Sequence, residues 1–214
     1  MSSILDPDAL PYTDRQGNEI YTDFKNMIRI ERAFDDEEMT ERQKVYCALR
    51  LLYGDNVPDV KTALGELMWF YHRGMADEAE TTKISKNTPR LYDFEEDADY
   101  IYSAFLSCYG IDLIAAELHW WQFMALFLAL PENTQMAKRM YYRGVDTSKL
   151  KGSMKTEYEE RKKSVALRRK NNSRLRNMTR EELEQATKAR VAKRFEEAER
   201  LVRQQSRKDD EHGL

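Results

Sequence analysis

The sequence has few of the residues that interrupt helices: eight glycines and five prolines in 214 residues. Turns are therefore scarce and elements long, which argues against many-stranded sandwiches and barrels and favours helices. Cysteine is scarcer still. Cys47 and Cys108 fall inside apolar helical patterns, so two buried thiols in a reducing, cytosolic compartment are expected. Only three histidines occur, His72, His119 and His212, and none has a His or Cys neighbour at zinc-ligand spacing. There is no GxSxG, no P-loop, no GxGxxG after a strand and no HExxH. Nothing nominates a catalytic residue, a metal or a cofactor, and a non-enzymatic protein is expected.

Long hydrophobic runs are also missing. The first ten residues carry Asp6, Pro7 and Asp8 where the apolar core of a signal peptide would stand, so none is expected. Leu113 to Leu130 is the one candidate for a membrane span, but it contains Glu117, His119 and Gln122. A bilayer needs about 20 predominantly apolar residues. The stretch reads instead as a central helix, apolar nearly all round, which other helices must enclose.

Excess charge of one sign is absent overall, at a net −3, yet the distribution is uneven. Residues 1–150 hold 16 Lys/Arg against 26 Asp/Glu, a balance of −10, whereas residues 151–214 hold 19 against 12, a balance of +7. Such asymmetry suggests a self-neutralising contact or two different partner faces.

The pattern predicts an all-α protein. Residues 1–21 form an N-terminal segment in which Leu10–Thr13 and Glu19–Tyr21 could pair as a short hairpin about the turn at Asp14 to Asn18. A bundle follows over 22–145. Its first helix starts at Thr22 or Asp23 and runs through Phe24, Met27, Ile28, Ile30 and Phe34 to the break at Asp35–Glu38. Thr40 and Gln43 have capping-box spacing, and Val45, Leu49 and Leu52 form one face before Gly54. Pro58 suits the first turn of a third helix carrying Val60, Leu64, Leu67, Met68 and Tyr71. Residues 75–92 lack periodicity and read as a long loop. A second capping box at Asp93 to Glu96 opens a helix with the stripe Tyr100, Ile101, Ala104, Phe105 and Cys108, closed by Gly110. After the central helix and Pro131, a short helix over about 133–142 completes the bundle.

From 146 to 214 a charged, basic helical extension is expected. Residues 154–170 place Met154, Tyr158 and Val165 on one side of a basic helix, and Asn171 to Ser173 break it. Thr179 to Glu182 is a third capping box, followed by a narrow stripe of Leu183, Thr187, Val191, Phe195, Ala198 and Val202. Pairs such as Glu184 and Lys188 support that helix by only about 0.2–0.5 kcal/mol each. So polar a helix is either a solvated tail or a docking helix that pairs with a partner's groove or another copy, and Leu183, Val191, Phe195 and Val202 are the candidate partner-binding residues. No repeat of solenoid period occurs.

Three local patterns admit a second reading. The acids Asp93, Glu95, Asp97 and Asp99 alternate as in a calcium loop, but Ala98 and Ala104 stand where Gly and the closing Glu belong. A helix start, with carboxylates complementing the dipole, fits better. The basic stretch Arg161–Lys163, Arg168–Lys170, Arg174 and Arg176 could contact phosphates, yet interleaved acids and missing aromatics disfavour nucleic acid. Trp120 and Trp121 point about 100° apart on a helix, so both are buried only in a central position, or one lies in an oligomer interface. His119 is read as a hydrogen-bonded core histidine.

Gly110-Ile111-Asp112-Leu113, then Leu118-His119-Trp120-Trp121, Phe123, Leu126 and Leu130-Pro131, with Tyr142-Arg143-Gly144 and Asp146, resembles a bacteriophage signature. The chain is similar over about 24–167 to the bacteriophage gene-product-fifteen family, encoded in siphophages between the major tail protein and tape-measure genes. Its signature positions here are Gly110, Asp112, Leu118, His119, Trp120, Trp121, Phe123, Pro131, Arg143 and Gly144. The resemblance implies a tail assembly chaperone that coats the tape-measure protein in the host cytoplasm and is not kept in the mature virion. Implied partners are the tape-measure protein, with the major tail protein or a second tail chaperone as further candidates. Self-association stays open, and no membrane partner is expected. The alternatives are a structural virion component and a nucleic-acid-associated helical regulator.

Overall fold

A computed structural model of the chain describes residues 10–74 and 89–168. Among the described residues it is all-helical, with seven α-helices and two isolated β-bridges. These are α1 (Phe24–Asp35), α2 (Glu41–Tyr53), α3 (Val60–Tyr71), α4 (Ala98–Tyr109), α5 (Trp120–Leu128), α6 (Gln135–Gly144) and α7 (Gly152–Ser164).

Five of these seven helices, α1, α2, α3, α5 and α6, start at a side-chain cap. Asp23 accepts from the Lys25 amide at 2.7 Å, Asp59 from Thr62 at 3.1 Å, and Thr134 from Ala137 at 3.2 Å. Thr40 and Gln43 form the reciprocal capping box, with the Thr40 amide donating to Gln43 Oε1 at 2.8 Å. Pro58 lies outside α3, ahead of the Asp59 cap, so it does not occupy the helix's first turn. At the end of α2, Gly54 has φ +63°, and a Cβ there would stand 2.8 Å from the Tyr21 ring. Glycine is thus required twice over.

α1 packs on α2 and α5, α2 on α3, and α4 on α6. Phe24, Met27, Ile30 and Phe34 of α1 meet Leu49 and Leu52 of α2 and Leu64, Leu67 and Met68 of α3 in one apolar cluster that extends to Met136. The helix most nearly enclosed is α3, where Ala63 to Met68, Phe70 and Tyr71 are all buried.

The expected central helix over 113–130 is corrected. Only Trp120–Leu128 is helical, and 111–119 is an irregular segment held by backbone pairing. The Phe24 amide donates to the Leu118 carbonyl at 2.9 Å, and the Trp120 amide to the Thr22 carbonyl at 2.7 Å. An apolar run can satisfy its backbone against a distant strand-like partner as well as within a helix.

Two further expectations change. α4 begins at Ala98 with Asp97 as its cap, four residues later than the box at Asp93 to Glu96. Asp93 still accepts from the amides of Glu95 and Glu96, but its own amide donates to Asp97, not Glu96. The buried stripe of α4 is Ile101, Ala104 and Phe105, with Tyr100 and Cys108 exposed on its edges. Cys47 is half-buried. The two thiols are therefore not a buried pair.

Residues 10–21 are tied to the bundle. Thr13 bridges to Glu19, Ile20 enters the core, and Asp14 accepts from the Tyr53 hydroxyl at 3.0 Å. Arg15 binds Glu66 of α3 through both carboxylate oxygens, and Lys44 donates to the Phe34 carbonyl at 2.9 Å. α7, by contrast, buries no residue at all.

Candidate functional site

The residues of the 110–144 signature collect into two buried knots and one surface loop. In the first knot, His119 is the N-cap of α5, not a residue within a helix. Its Nδ1 accepts from the Trp121 amide at 3.0 Å, while Nε2 lies 2.9 Å from the Pro11 carbonyl. That pairing requires the neutral ring with its proton on Nε2, which donates to Pro11. Burial pushes the His119 pKa below its ordinary value, against a smaller opposing effect of the Pro11 contact.

Trp120 and Trp121 are both buried within one chain, so neither indole is left for an interface between copies. Trp120 Nε1 donates to the Tyr71 carbonyl at 2.9 Å and Trp121 Nε1 to the Phe70 carbonyl at 2.8 Å. The last carbonyls of a helix have no intrahelical donor. Two adjacent indoles supply donors to two adjacent carbonyls, and this locks α5 across the end of α3. Phe123 stacks between Phe24, at 4.5 Å between ring centroids, and Phe105, at 5.1 Å.

The second knot joins α4, α6 and α7. Asp97 is fully buried and Arg143 4% exposed. Arg143 donates to both Asp97 oxygens, to the Leu91 carbonyl at 2.9 Å and to the Val165 carbonyl at 2.6 Å. Arg139 adds a contact to Asp97 at 3.0 Å and lies 4.2 Å over the Tyr100 ring. Burial alone would raise the Asp97 pKa, but Arg143, the Asp93 backbone and Arg139 together hold it below the ordinary value. Gly144 follows directly, and a Cβ there would press on Leu91 at 3.0 Å.

The remaining signature residues shape turns. Gly110 ends α4 in the left-handed region, and Asp112 accepts from the Ile114 amide at 2.9 Å. Leu118 is half-buried against the core, and the Pro131 carbonyl accepts from Thr134 at the entry to α6. The candidate partner-binding residues Leu183, Val191, Phe195 and Val202 lie outside the described residues.

Sequence reasoning missed the ionic partners of the acidic run. Asp93 pairs with Arg90 at 2.7 Å, Glu95 with Arg32, and Asp97 with Arg143. A cation partner 46 residues away leaves no trace in local spacing. Among the described residues no group of three or more His, Cys, Asp or Glu could hold a metal ion, and no helix is long and apolar enough to cross a membrane. On α7, Arg161 is paired with Glu157 at 2.9 Å and Lys155 with Glu159 at 3.8 Å.

These features define a small helical framework protein whose signature residues hold the bundle together. The model of the family described as Bacteriophage Gp15 protein matches residues 7–167, and the chain belongs to that family. It is therefore a phage protein. No curated protein and no solved structure matches it.

Proposed function

We propose that the protein is a tail assembly chaperone that binds the tape-measure protein, and possesses no catalytic role. The observation that carries this is the fate of the signature. His119, both tryptophans, Phe123 and Arg143 are consumed by internal contacts. Such a framework presents surfaces to a partner, and family membership supplies the phage context. The resemblance noted in the sequence supplies the client. Amphipathic and charged helices suit reversible wrapping of a long helical protein. On this reading the protein acts in the host cytoplasm and leaves before the virion is complete, with the tail-tube subunit or a second chaperone as a further contact.

Quantitative mass spectrometry of infected-cell lysate and of purified virions tests this. The protein should co-purify with tape-measure protein from lysate and be absent from particles. Stoichiometric retention in particles contradicts the reading and identifies a structural virion component.

A further inference from the structure

The last described stretch of chain is led to one place on the bundle. Beyond α7, Arg143 donates to the Val165 carbonyl at 2.6 Å, and the Ala166 amide to the Lys163 carbonyl at 3.3 Å. The Arg168 amide then donates to Glu96 Oε2 at 2.9 Å. Residues 169–214 therefore continue from a fixed point beside the start of α4.

That point adjoins an acidic face built from two parts of the sequence. Residues 35–41 hold five Asp or Glu and residues 93–99 another five, with no Lys or Arg in either run. Arg90 spans Asp35 at 3.1 Å and Asp93 at 2.7 Å, and Arg32 takes Glu95, so the two runs lie side by side. Asp36, Glu37 and Glu38 after α1 and Asp99 on α4 are exposed there. The chain that leaves Glu96 has the opposite charge: residues 168–180 carry six Lys or Arg and no Asp or Glu. An extended chain covers at most about 3.3–3.6 Å per residue, so Arg174 and Arg176 stay within roughly 20–30 Å of the Glu96 bond. Tethered so closely, these cations meet the carboxylates at a high effective concentration, and individually weak exposed pairs act together.

We infer that residues 169–180 of this chain dock on that acidic face and hold the extension against the end of α1 and the start of α4. The uneven charge of the sequence is then a self-neutralising contact rather than two partner faces. The inference does not rest on the tail-assembly reading. A contact between exposed charges fades as salt screens it over shorter distances.

Zero-length carbodiimide coupling of the full chain tests this, because it joins an ammonium to a carboxylate only where the two touch. Lys170 is the one lysine in 168–180. In an equal mixture of isotope-labelled and unlabelled chain, mass spectrometry should find Lys170 joined to Asp36, Glu37 or Glu38 within single chains. A link to Glu96 is not counted, since the tether alone would give it. About 1 M salt, and separately Arg174→Glu with Arg176→Glu, should each lower the yield of the counted links by a factor on the order of ten. The two substitutions lie outside the bundle, so its melting should stay at the wild-type value. Absence of links from Lys170 to 36–38 overturns the inference. Links that pair labelled with unlabelled chain also overturn it, by showing a second copy as the occupant. Equal yields from Lys208 would show unselective collapse, and yields that ignore both salt and the substitutions would show proximity without charge. Either result removes the dock.

Discussion

Asp97 and Arg143, 46 residues apart in sequence, meet inside the protein through two hydrogen bonds of 2.5 and 2.9 Å. Removing one member of a buried pair strands the other charge, at a cost of about 3–5 kcal/mol. Arg143→Ala should therefore lower stability by that order in urea melts. Because Arg143 also holds the Val165 carbonyl, amide exchange over α7 should accelerate in the same variant. Native-like exchange over 152–164 would show that α7 does not depend on this clasp.

Acid should weaken the same knot. The folded pKa of Asp97 lies below its ordinary value, so its contribution is complete above the unfolded value and is lost as pH falls through the folded one. Histidine adds a loss at higher pH. His119 and His72 both have lowered pKa values, through burial in each case and then, for His72, the Arg73 charge. The unfolded chain takes up protons below about 6.5 while the folded chain does not, so stability falls with pH from there. His119→Asn keeps a cap acceptor and removes one titration. Its stability should fall less steeply between pH 7 and 5 than wild type, as followed by denaturant melts, and equal slopes would contradict the assignment.

Trp120→Phe and Trp121→Phe each withdraw an indole donor from a carbonyl at the end of α3, at a cost of about 1–3 kcal/mol apiece. Chemical denaturation curves of both variants check this, and wild-type stability in either would show that its indole hydrogen bond contributes nothing there.

Phe195→Asp with Val202→Asp should reduce tape-measure binding while leaving the bundle's melting unchanged, if the stripe of the extension is a client surface. Binding measured by pull-down that stays at the wild-type level removes the stripe from the account.

Much of the fold was legible locally. Thr40 and Gln43 announced their capping box, Gly54 and Gly110 their helix ends, and the spacing of Phe24, Met27, Ile30 and Phe34 gave α1 its buried face. What failed was non-local. The apolar run 113–130 resembled one helix because nothing within it reveals that 118–120 pairs with 22–24. Asp97 looked like a dipole-complementing carboxylate because Arg143 is remote in sequence. The stripe through Tyr100 and Cys108 is too generous at two positions: Cys108 shares the angular range of Ile101, Ala104 and Phe105 but lies a turn further on, at the exposed end of α4, and Tyr100 lies to one side of it. Of the site, His119 is legible as a hydrogen-bonding residue but not as the cap of α5, because the apolar run 113–130 hides where that helix begins; its other contact, to Pro11 108 residues away, is non-local.

The chaperone role is tested most directly by the soluble yield of tape-measure protein expressed with and without this chain. A tail assembly chaperone should raise that yield, and the tape-measure protein should co-elute with the chain. An unchanged yield, with nothing retained on the chain, would contradict that role.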